Sequence, residues 1–278
     1  MDSLWKEGPS FTFSEDRRTV SFDYSFNRWD FEIGGQIPVW TLCDRADWLS
    51  FLAVAALDAN LARPDMRVFT RCQVWEISPS FYSVVRPGRP LKVSSRVVYV
   101  GNTSFVKKGE IVDRSTNEIL VKGMVQDVLI SMDTRRPTPF PDWLKENYLH
   151  LTSEPRPEMA EVFEKPPAAK TFVYSVTVPP SDIDLNNHTN QRHYIRYCFD
   201  CAVVGARQGA YPTVRGDVLK QGVRKVSVLY QKESLEGDVL SVDSWEESPG
   251  TLRFQVRKVY ENLVQVTLQF HETNKSKL

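Results

Sequence analysis

Residues 181–197 read SDIDLNNHTNQRHYIRY, a cluster of polar side chains that runs into an apolar helical pattern. Two aspartates, three asparagines and one histidine lie between residues 182 and 190, directly after Pro179 and Pro180. These residue types are common in turns, but aspartate and histidine also bind metals and transfer protons. The elements that flank the cluster decide which interpretation fits.

A helix is predicted directly after the polar cluster. Apolar residues recur there at steps of three and four: Ile195, Cys198, Phe199, Ala202, Val203 and Ala206. This period indicates an α-helix with a wide buried face. Thr189 and Asn190 are both acceptable N-cap residues, so the helix is expected to begin at one of them. Its first N–H groups and the positive end of its dipole would then face the polar cluster.

Antiparallel strands are predicted after this helix. The segment LVQVTLQFHE (263–272) alternates apolar and polar residues with a period of two, and KVSVLYQ (225–231) and TLRFQV (251–256) do so over shorter lengths. The residues SPG (248–250) are typical of a turn between neighbouring strands.

The first half repeats this order. Ala46, Leu49, Ala53, Val54 and Leu57 predict a helix, and strands are predicted in VFTRCQVWEI (68–77), PLKVSSRVVYV (90–100), TSFVKKGEIV (103–112) and EILVKGMVQDVLIS (118–131). Pairing Gly88 with Gly237 gives a shift of 237 minus 88, or 149 residues, which also aligns the apolar positions of the two helices. The sequence therefore predicts an internal repeat.

The segment between the two copies, residues 135–170, is dense in proline and charge, as expected of a linker. One helix for about four antiparallel strands is not the rhythm of a βαβ fold. We therefore predict an α+β chain of two tandem units, each an antiparallel sheet wrapped around its helix. The predicted boundaries are 1–134 for the first unit, 135–168 for the linker and 169–278 for the second unit.

Composition excludes several function classes. Lysine plus arginine equals aspartate plus glutamate at 35 each, so we expect no nucleic-acid partner. The sequence contains no apolar run of about 18 residues, so no membrane span is predicted. Acidic residues near the start argue against a transit peptide, and a cytoplasmic location is expected, or an organellar one if a leader was removed.

The C-x-x-C of Cys198 and Cys201 falls on the predicted helix and is interpreted as two buried thiols rather than a redox or metal pair.

The polar segment resembles the active-site segment of hotdog-fold thioesterases, in which D-x-D-x-N-x-H-x-N-N-x-x-Y or a close variant leads into a central helix. The segments VVYVGNTSFVKKGEIVDRSTNEILVKG (97–123) and RRPTPFPDWL (135–144) are similar to a strand pair and its exit in the same superfamily. Two such units in one chain are most similar to the double-hotdog acyl-ACP thioesterases of plants and bacteria. The likeness in layout covers most of residues 20–272, and its specific part is 182–194.

This resemblance implies two tandem hotdog folds and a hydrolase of lipid metabolism, such as fatty acid biosynthesis, that cleaves acyl thioesters of CoA or acyl carrier protein. Asp184, Asn186 and His188 occupy the D-x-N-x-H positions, and Glu233 matches a glutamate expected in a strand segment. These four are the expected catalytic residues. The family has a cysteine where this chain has Ser234, which favours direct attack by water over a cysteine nucleophile.

Thioester hydrolysis needs a positioned water, a base and donors for the carbonyl oxygen. Asp184 or Glu233 is expected to hold or deprotonate the water, while His188 carries its proton. The expected substrate-binding residues are Thr189, Asn190 and Tyr194, with backbone N–H groups at the helix start as the oxyanion donors. No cofactor and no metal are expected, and the apolar helix and sheet are expected to enclose the acyl tail.

The first copy lacks these side chains. A shift of 149 residues places Gly35, Ile37, Val39 and Val84 opposite Asp184, Asn186, His188 and Glu233. None of the four can transfer a proton, so the amino-terminal unit is expected to be catalytically silent and to shape the acyl pocket. The fused pair already supplies the assembly that single hotdog units reach by dimerising, and a homodimer of the whole chain is an open alternative.

Other interpretations of the motif stay open. A plain surface turn needs no function. A metal site is disfavoured because the cluster holds one histidine, and His193 would point about 140° away along the helix. A hydratase of the same fold carries D-x-N-P-x-H, whereas no proline lies between Asp184 and His188. A non-catalytic acyl-binding protein would use the apolar tunnel without the chemistry.

Overall fold

The computed structural model describes residues 10–32, 34–57, 67–131, 133–152, 155–167 and 171–272. The strands are β1 (Thr12–Phe13), β2 (Val20–Tyr24), β3 (Val68–Ile77), β4 (Leu91–Val100), β5 (Ser104–Asp113), β6 (Ile119–Ser131), β7 (Arg136–Pro137), β8 (Phe172–Thr177), β9 (Val223–Tyr230), β10 (Val239–Ser248), β11 (Thr251–Lys258) and β12 (Glu261–Phe270). The helices are α1 (Val39–Leu57), α2 (Pro79–Val84), α3 (Asp142–Asn147), α4 (Leu149–Thr152), α5 (Gln191–Arg207) and α6 (Val218–Gln221). None of these helices is both long and apolar enough to cross a membrane.

The chain divides into two compact units. Unit 1 contains the described residues of 10–38, 45–70 and 80–158, and unit 2 contains those of 39–44, 71–79 and 159–272. Each unit consists of antiparallel strands and a long helical segment. A large antiparallel sheet with few helices was predicted from the alternating segments, and this part of the fold prediction is confirmed.

In unit 1 the strand order is β1-β2-β4-β5-β6, and β7 pairs with β6. The helical residues of α1 pack on β4 and β5, where the Ser50 hydroxyl lies 2.6 Å from the Ser95 hydroxyl and the Asp47 carboxylate contacts Lys107. The described residues of 135–158, within the segment predicted to be a linker, also belong to this unit, whereas those from 159 onward belong to unit 2. The core of unit 1 includes Phe140, Leu144 and Tyr148, because large apolar side chains bury well even in a stretch dense in proline and charge.

In unit 2 the strand order is β9-β12-β11-β10-β8, and residues 72–76 of β3 pair with β9. Helix α5 packs on β8, β10, β11 and β12. Its predicted apolar face is buried, with Ile195, Cys198 and Ala202 each at 0% exposure. The opposing side chains of the sheet are equally buried, which is why the helix is fixed on this face.

The predicted repeat agrees best with the structure at β4, whose bounds match those of β10 after the shift. Residues 91–100 of β4, shifted by 149, become 240–249, against 239–248 for β10. The register then drifts, because β6 shifted by 149 would begin at 268 whereas β12 begins at Glu261. Of these seven residues, three come from a shorter connection in the second copy, where residues 259 and 260 replace the five residues 114–118, and two come from a shorter strand, since β11 has 8 residues and β5 has 10. The turn predicted at SPG is confirmed, with Gly250 at a φ of 73°.

Candidate active site

A tight hairpin turn carries the predicted motif immediately before α5. Ile183 and Thr189 form an antiparallel bridge, and the Asp184 N–H donates to the His188 carbonyl at 3.0 Å. Asn187 closes the turn with a left-handed φ of 60°, a conformation that asparagine tolerates better than most residues. The predicted aspartate, asparagine and histidine side chains therefore all leave from one turn.

The geometry of the turn sets the protonation of the imidazole. His188 Nδ1 lies 3.1 Å from the carbonyl oxygen of Thr189, and because a carbonyl only accepts, Nδ1 carries the proton of the neutral ring. The Nε2 lone pair then faces Asp184, whose Oδ1 lies 3.9 Å away and also accepts the Asn186 N–H at 2.8 Å. A gap of 3.9 Å is too long for a direct hydrogen bond but suits a bridging water.

Solvent reaches this pair of side chains. The side chain of His188 is 15% exposed and that of Asp184 is 21% exposed. Leu185, at the tip of the same turn, is fully exposed. Part of each side chain is therefore accessible, whereas the Nε2 atom of His188 is itself buried.

Three buried hydroxyl groups anchor the turn to the loop that follows β9. Ser234 Oγ lies 2.7 Å from Thr189 Oγ1 and 2.7 Å from the Tyr194 hydroxyl. The backbone adds a bond from the Thr189 N–H to the Ser234 carbonyl at 2.9 Å. Thr189 and Tyr194 were expected to bind substrate, but both are buried and their hydroxyls bond within the protein. Their geometry therefore makes them anchors of the turn.

Replacing Ser234 with alanine is expected to lower the free energy of unfolding by about 1 kcal/mol. The loss is small because Thr189 Oγ1 keeps the Ser234 carbonyl at 3.1 Å and the Tyr194 hydroxyl keeps the Ser234 N–H at 2.8 Å. Hydrolysis should largely survive, since a buried serine bonded to other hydroxyls is not an activated nucleophile. Denaturant unfolding and thiol release measure the two effects. A loss of turnover as large as that of His188→Ala would identify Ser234 as the nucleophile.

Glu233 does not lie in a strand, contrary to the prediction. Strand β9 ends at Tyr230, because the N–H groups of Gln231 and Lys232 both donate to the Leu263 carbonyl and the regular ladder stops there. Glu233 is an exposed residue of the following loop. The Ser234 bonds nevertheless bring this loop to the motif. Burial is the main reason for the raised pKa of Tyr194, and the nearby charge of Glu233 adds to it.

The helix start is used differently from the prediction. Asn190 is the N-cap, as predicted, and its side-chain oxygen accepts the Arg192 N–H at 3.1 Å. The Asn190 N–H donates to the Asp182 carbonyl at 2.9 Å, and the His193 N–H donates to the Asn190 carbonyl at 3.0 Å. The Thr189 N–H is bonded to Ser234. These four N–H groups are therefore committed within the protein.

Asp182 is a residue that the predicted site left out. It is only 2% exposed, and its carboxylate accepts hydrogen bonds from the guanidinium of Arg196 and the hydroxyl of Tyr197. His193 Nδ1 lies 3.5 Å from the same carboxylate. A signal was available in the sequence, because positions 193, 196 and 197 share one face of a helix. Asp182 fixes the start of the motif on α5.

His193 should make stability depend on pH. Burial lowers its pKa to about 4, against the opposing attraction of Asp182, whereas the unfolded chain binds this proton below a pH of about 6.5. Between pH values of about 4 and about 6.5, the unfolded state binds more protons than the folded state. The free energy of unfolding therefore falls as the pH falls, by up to about 1.4 kcal/mol per pH unit. His193→Gln should flatten this part of the curve. Denaturant unfolding at about pH 7 and about pH 5 tests it, and equal losses in both proteins would contradict the assignment.

The two cysteines of the C-x-x-C are buried free thiols on α5, as predicted. Burial is the main cause that raises the pKa of Cys201 to about 12, and it also raises the pKa of Cys198. Cys201 Sγ lies 3.2 Å from the Ser244 hydroxyl. Protonated thiols in an apolar interior are poor nucleophiles and poor metal ligands. In the part of the chain that the structure describes, no three His, Cys, Asp or Glu side chains group as metal ligands.

The structure is similar to solved structures of two thioesterases and a dehydratase. An acyl-ACP thioesterase from Bacteroides thetaiotaomicron matches with a TM-score of 0.71 at 18% identity, covering 93% of this chain and 100% of that one. The 12:0-ACP thioesterase from Umbellularia californica matches with a TM-score of 0.72 at 13% identity, covering 92% and 98%. A MaoC-like dehydratase from Phytophthora Capsici gives 0.54 at 14% identity, covering 92% and 96%.

No family model matches the sequence, and no curated protein does. The likeness therefore rests on the fold. The chain shares the fold of these two acyl-ACP thioesterases over more than nine-tenths of its length.

Proposed function

We propose that this chain is an acyl thioester hydrolase built from two tandem hotdog units, with its active site in the carboxyl-terminal unit. One observation carries the proposal. The turn before α5 places the buried Nε2 atom of His188 3.9 Å from the carboxylate of Asp184, a spacing that one bridging water spans in the proposed reaction. The same fold in solved acyl-ACP thioesterases supports the assignment.

Hydrolysis proceeds by direct attack of that water. Asp184 orients the water, and His188 Nε2 takes its proton as the oxygen attacks the thioester carbonyl carbon. The carboxylate then stabilises the imidazolium that forms. The tetrahedral intermediate collapses with cleavage of the carbon–sulfur bond, and the leaving thiolate receives the proton from His188. The products are a free acid and a thiol, and no covalent enzyme intermediate is needed.

The negative oxygen of the intermediate needs a donor. Because the N–H groups of Thr189, Asn190, Arg192 and His193 are committed elsewhere, we assign this role to the side-chain amide of Asn186. Asn186 lies in the same turn, two residues before His188, and is partly exposed. Glu233 is assigned an auxiliary role, through its charge at the edge of the site.

We assign no chemistry to the amino-terminal copy. Its residues at the motif positions are apolar or lack a side chain, and both Ile37 and Val39 are buried, at 3% and 5% exposure. Val39 is the first residue of α1, whereas His188 lies in the turn that precedes α5, which begins at Gln191. A proton-transfer turn is therefore supported in unit 2 alone.

The test is release of thiol from acyl thioesters. Because both similar thioesterases are described as acting on acyl-ACP, acyl-ACP is the first substrate to offer and acyl-CoA the second, across a range of chain lengths. A colorimetric thiol reagent and detection of the free acid should show equal amounts of the two products. Absence of thiol with both carriers at every chain length would contradict the proposal.

A dehydratase is the second candidate, favoured by the likeness to a MaoC-like dehydratase fold. It would change the absorbance of an enoyl thioester without releasing thiol. Tight acyl binding with neither change would instead indicate a binding protein. The step from Asp184 to His188 without an intervening proline favours hydrolysis over this alternative.

A further inference from the structure

Unit 1 contains a cavity of about 730 Å³ that the proposed hydrolysis does not use. Its walls come from the turn between β1 and β2, from the middle of β4, and from the segment that includes α4. The charged and polar lining residues are Asp16, Arg17, Arg18, Arg96, Asn147 and His150. The apolar lining includes Val97, Tyr148 and Leu151. The volume lies within the range of small-molecule sites, roughly 300–1,000 Å³.

A well-ordered turn places two of the arginines. The Ser14 N–H donates to the Thr19 carbonyl at 2.9 Å, and the Arg17 N–H donates to the Ser14 carbonyl at 2.8 Å. The carboxylate of Asp16 accepts from the Ser14 hydroxyl at 2.6 Å and from the Arg18 N–H at 3.0 Å. Arg17 has a left-handed φ of 53°, which an arginine adopts only when its surroundings hold it there.

The arginines of the cavity form no close ion pair, although Asp16 lies in the same lining: its pKa is lowered mainly by the hydrogen bond from Ser14, and the charges of Arg18 and Arg96 add to this. Elsewhere in this chain arginines pair with carboxylates: Arg45 with Asp30, Arg89 with Asp113, Arg196 with Asp182, and Arg257 with Asp243. In contrast, none of Arg17, Arg18 and Arg96 forms an ion pair with an aspartate or glutamate among the described residues. The one acidic group nearby is already bonded to Ser14 and to the Arg18 backbone.

Three guanidinium groups on one cavity repel each other, and the single carboxylate of Asp16 offsets only part of their charge, so a further anion is favoured there. Arginine presents its donors as a planar fork that matches phosphate oxygens in pairs. A concave wall that also includes Tyr148 and Leu151 offers apolar surface beside the charge. A multiply charged small molecule with an apolar part satisfies both features, whereas a convex protein surface reaches the rim of such a cavity but not its floor.

We propose that this cavity binds a polyphosphate small molecule of nucleotide size, with Arg17, Arg18 and Arg96 on the phosphates. Tyr148 and Leu151 contact the base. The inference is independent of the proposed hydrolysis, because it concerns binding by residues of unit 1.

Calorimetric titration of the full chain with ADP and with pyrophosphate tests the proposal. Both should bind, adenosine should not, and added salt should weaken binding because the contacts are ionic. Arg96→Gln and the double variant Arg17→Gln, Arg18→Gln should each weaken ADP binding by about 10-fold or more. Arg114→Gln is the matched control, since Arg114 is half exposed and pairs with the exposed Asp23. Its affinity for ADP should equal that of the parent.

Comparison with CoA then distinguishes two ligands that carry the same phosphate groups, the nucleotide part of CoA and a free nucleotide. Tighter binding of CoA than of ADP would assign the site to the nucleotide part of CoA, and equal binding would assign it to a free nucleotide. No binding of ADP or pyrophosphate, or binding that survives both arginine variants, would overturn the proposal. A third outcome would also overturn the proposal: an acidic carrier protein binds the parent but not Arg96→Gln, while ADP does not bind. Each measurement reads binding without turnover, so failure of the hydrolase assignment would leave the result interpretable.

Discussion

Replacing His188 with alanine is expected to reduce kcat for thioester hydrolysis by roughly 100-fold to 10,000-fold. The imidazole is the base of the proposed reaction, because its Nδ1 proton is held by the Thr189 carbonyl and its Nε2 atom lies on the side of Asp184. Without it, the attacking water has no base and the leaving thiolate has no proton donor. Thiol release under saturating substrate measures the effect. A variant that hydrolyses as fast as the parent would show that the motif is not the active site.

The fold should tolerate this change. His188→Ala leaves in place the bridge between Ile183 and Thr189 and the backbone bond that closes the turn. Its denaturation midpoint should therefore stay close to that of the parent, which separates lost chemistry from lost structure.

Asp184→Asn should lower turnover on the order of 100-fold with the same fold. An amide oxygen still accepts the Asn186 N–H, so the turn is kept, but the negative charge that stabilises the imidazolium is removed. Asp142→Asn is the matched control, because the side chain of Asp142 is 94% exposed and lies in unit 1. Its turnover should equal that of the parent. Equal losses in the two variants would point to a general effect of charge rather than to this site.

Much of the secondary structure was predictable because it depends on periodicity. The apolar spacing predicted α5, and β3 was predicted at its observed bounds, residues 68–77. These elements bury one face or alternate two faces, and the burial of each residue follows from its place in the period. The turn of the motif was also predictable, since aspartate and asparagine favour such conformations.

The contacts of the site were less predictable. The end of β9 depends on a shared carbonyl on a neighbouring strand, Leu263, which no local pattern around Glu233 reveals. Likewise, the Thr189 hydroxyl and the Thr189 N–H both bond to Ser234, which lies on another segment. Periodicity gives the position of a side chain on its own element, whereas hydrogen bonding depends on where other elements end.

The interior of unit 1 contains a buried ion-pair cluster around Lys107, which the alternating strand pattern did not predict. Lys107 and Lys108 are neighbours on β5, and two adjacent lysines would ordinarily predict side chains exposed to solvent. In the structure Lys107 is buried, with Nζ 2.7 Å from Asp47 Oδ1 and 2.5 Å from Asp127 Oδ2. Thr70 Oγ1 donates to Asp127 at 3.1 Å. Only the tertiary packing of α1, β5 and β6 brings these groups together.

Burial by itself would lower the pKa of Lys107, but the attraction of Asp127 and Asp47 outweighs it, so the pKa of this ammonium is raised. Burial is the main reason that the pKa of Asp127 is raised. The two carboxylates share one ammonium, and their side chains are at most 8% exposed. Removing the cation would leave two buried negative charges close together, an arrangement far less stable than the paired one.

Lys107→Met is therefore expected to lower the free energy of unfolding by about 3–5 kcal/mol at neutral pH. The loss should shrink as the pH falls. The pKa of Asp127 is already raised by burial, and without the ammonium it rises further, so the folded state binds more protons than the unfolded state and stability rises with acidity. Adding Asp47→Leu and Asp127→Leu should recover most of the loss, because no unpaired buried charge then remains.

Lys108→Met is the matched control on the same strand. Lys108 is 39% exposed and pairs with Glu110 at 3.0 Å, so its loss should cost no more than about 1 kcal/mol. Denaturant unfolding of the three variants at neutral pH and at about pH 5 gives the comparison. A loss for Lys107→Met no larger than that of Lys108→Met, or one that does not change with pH, would mean that water compensates the two carboxylates and that the charged group contributes little to the stability of unit 1.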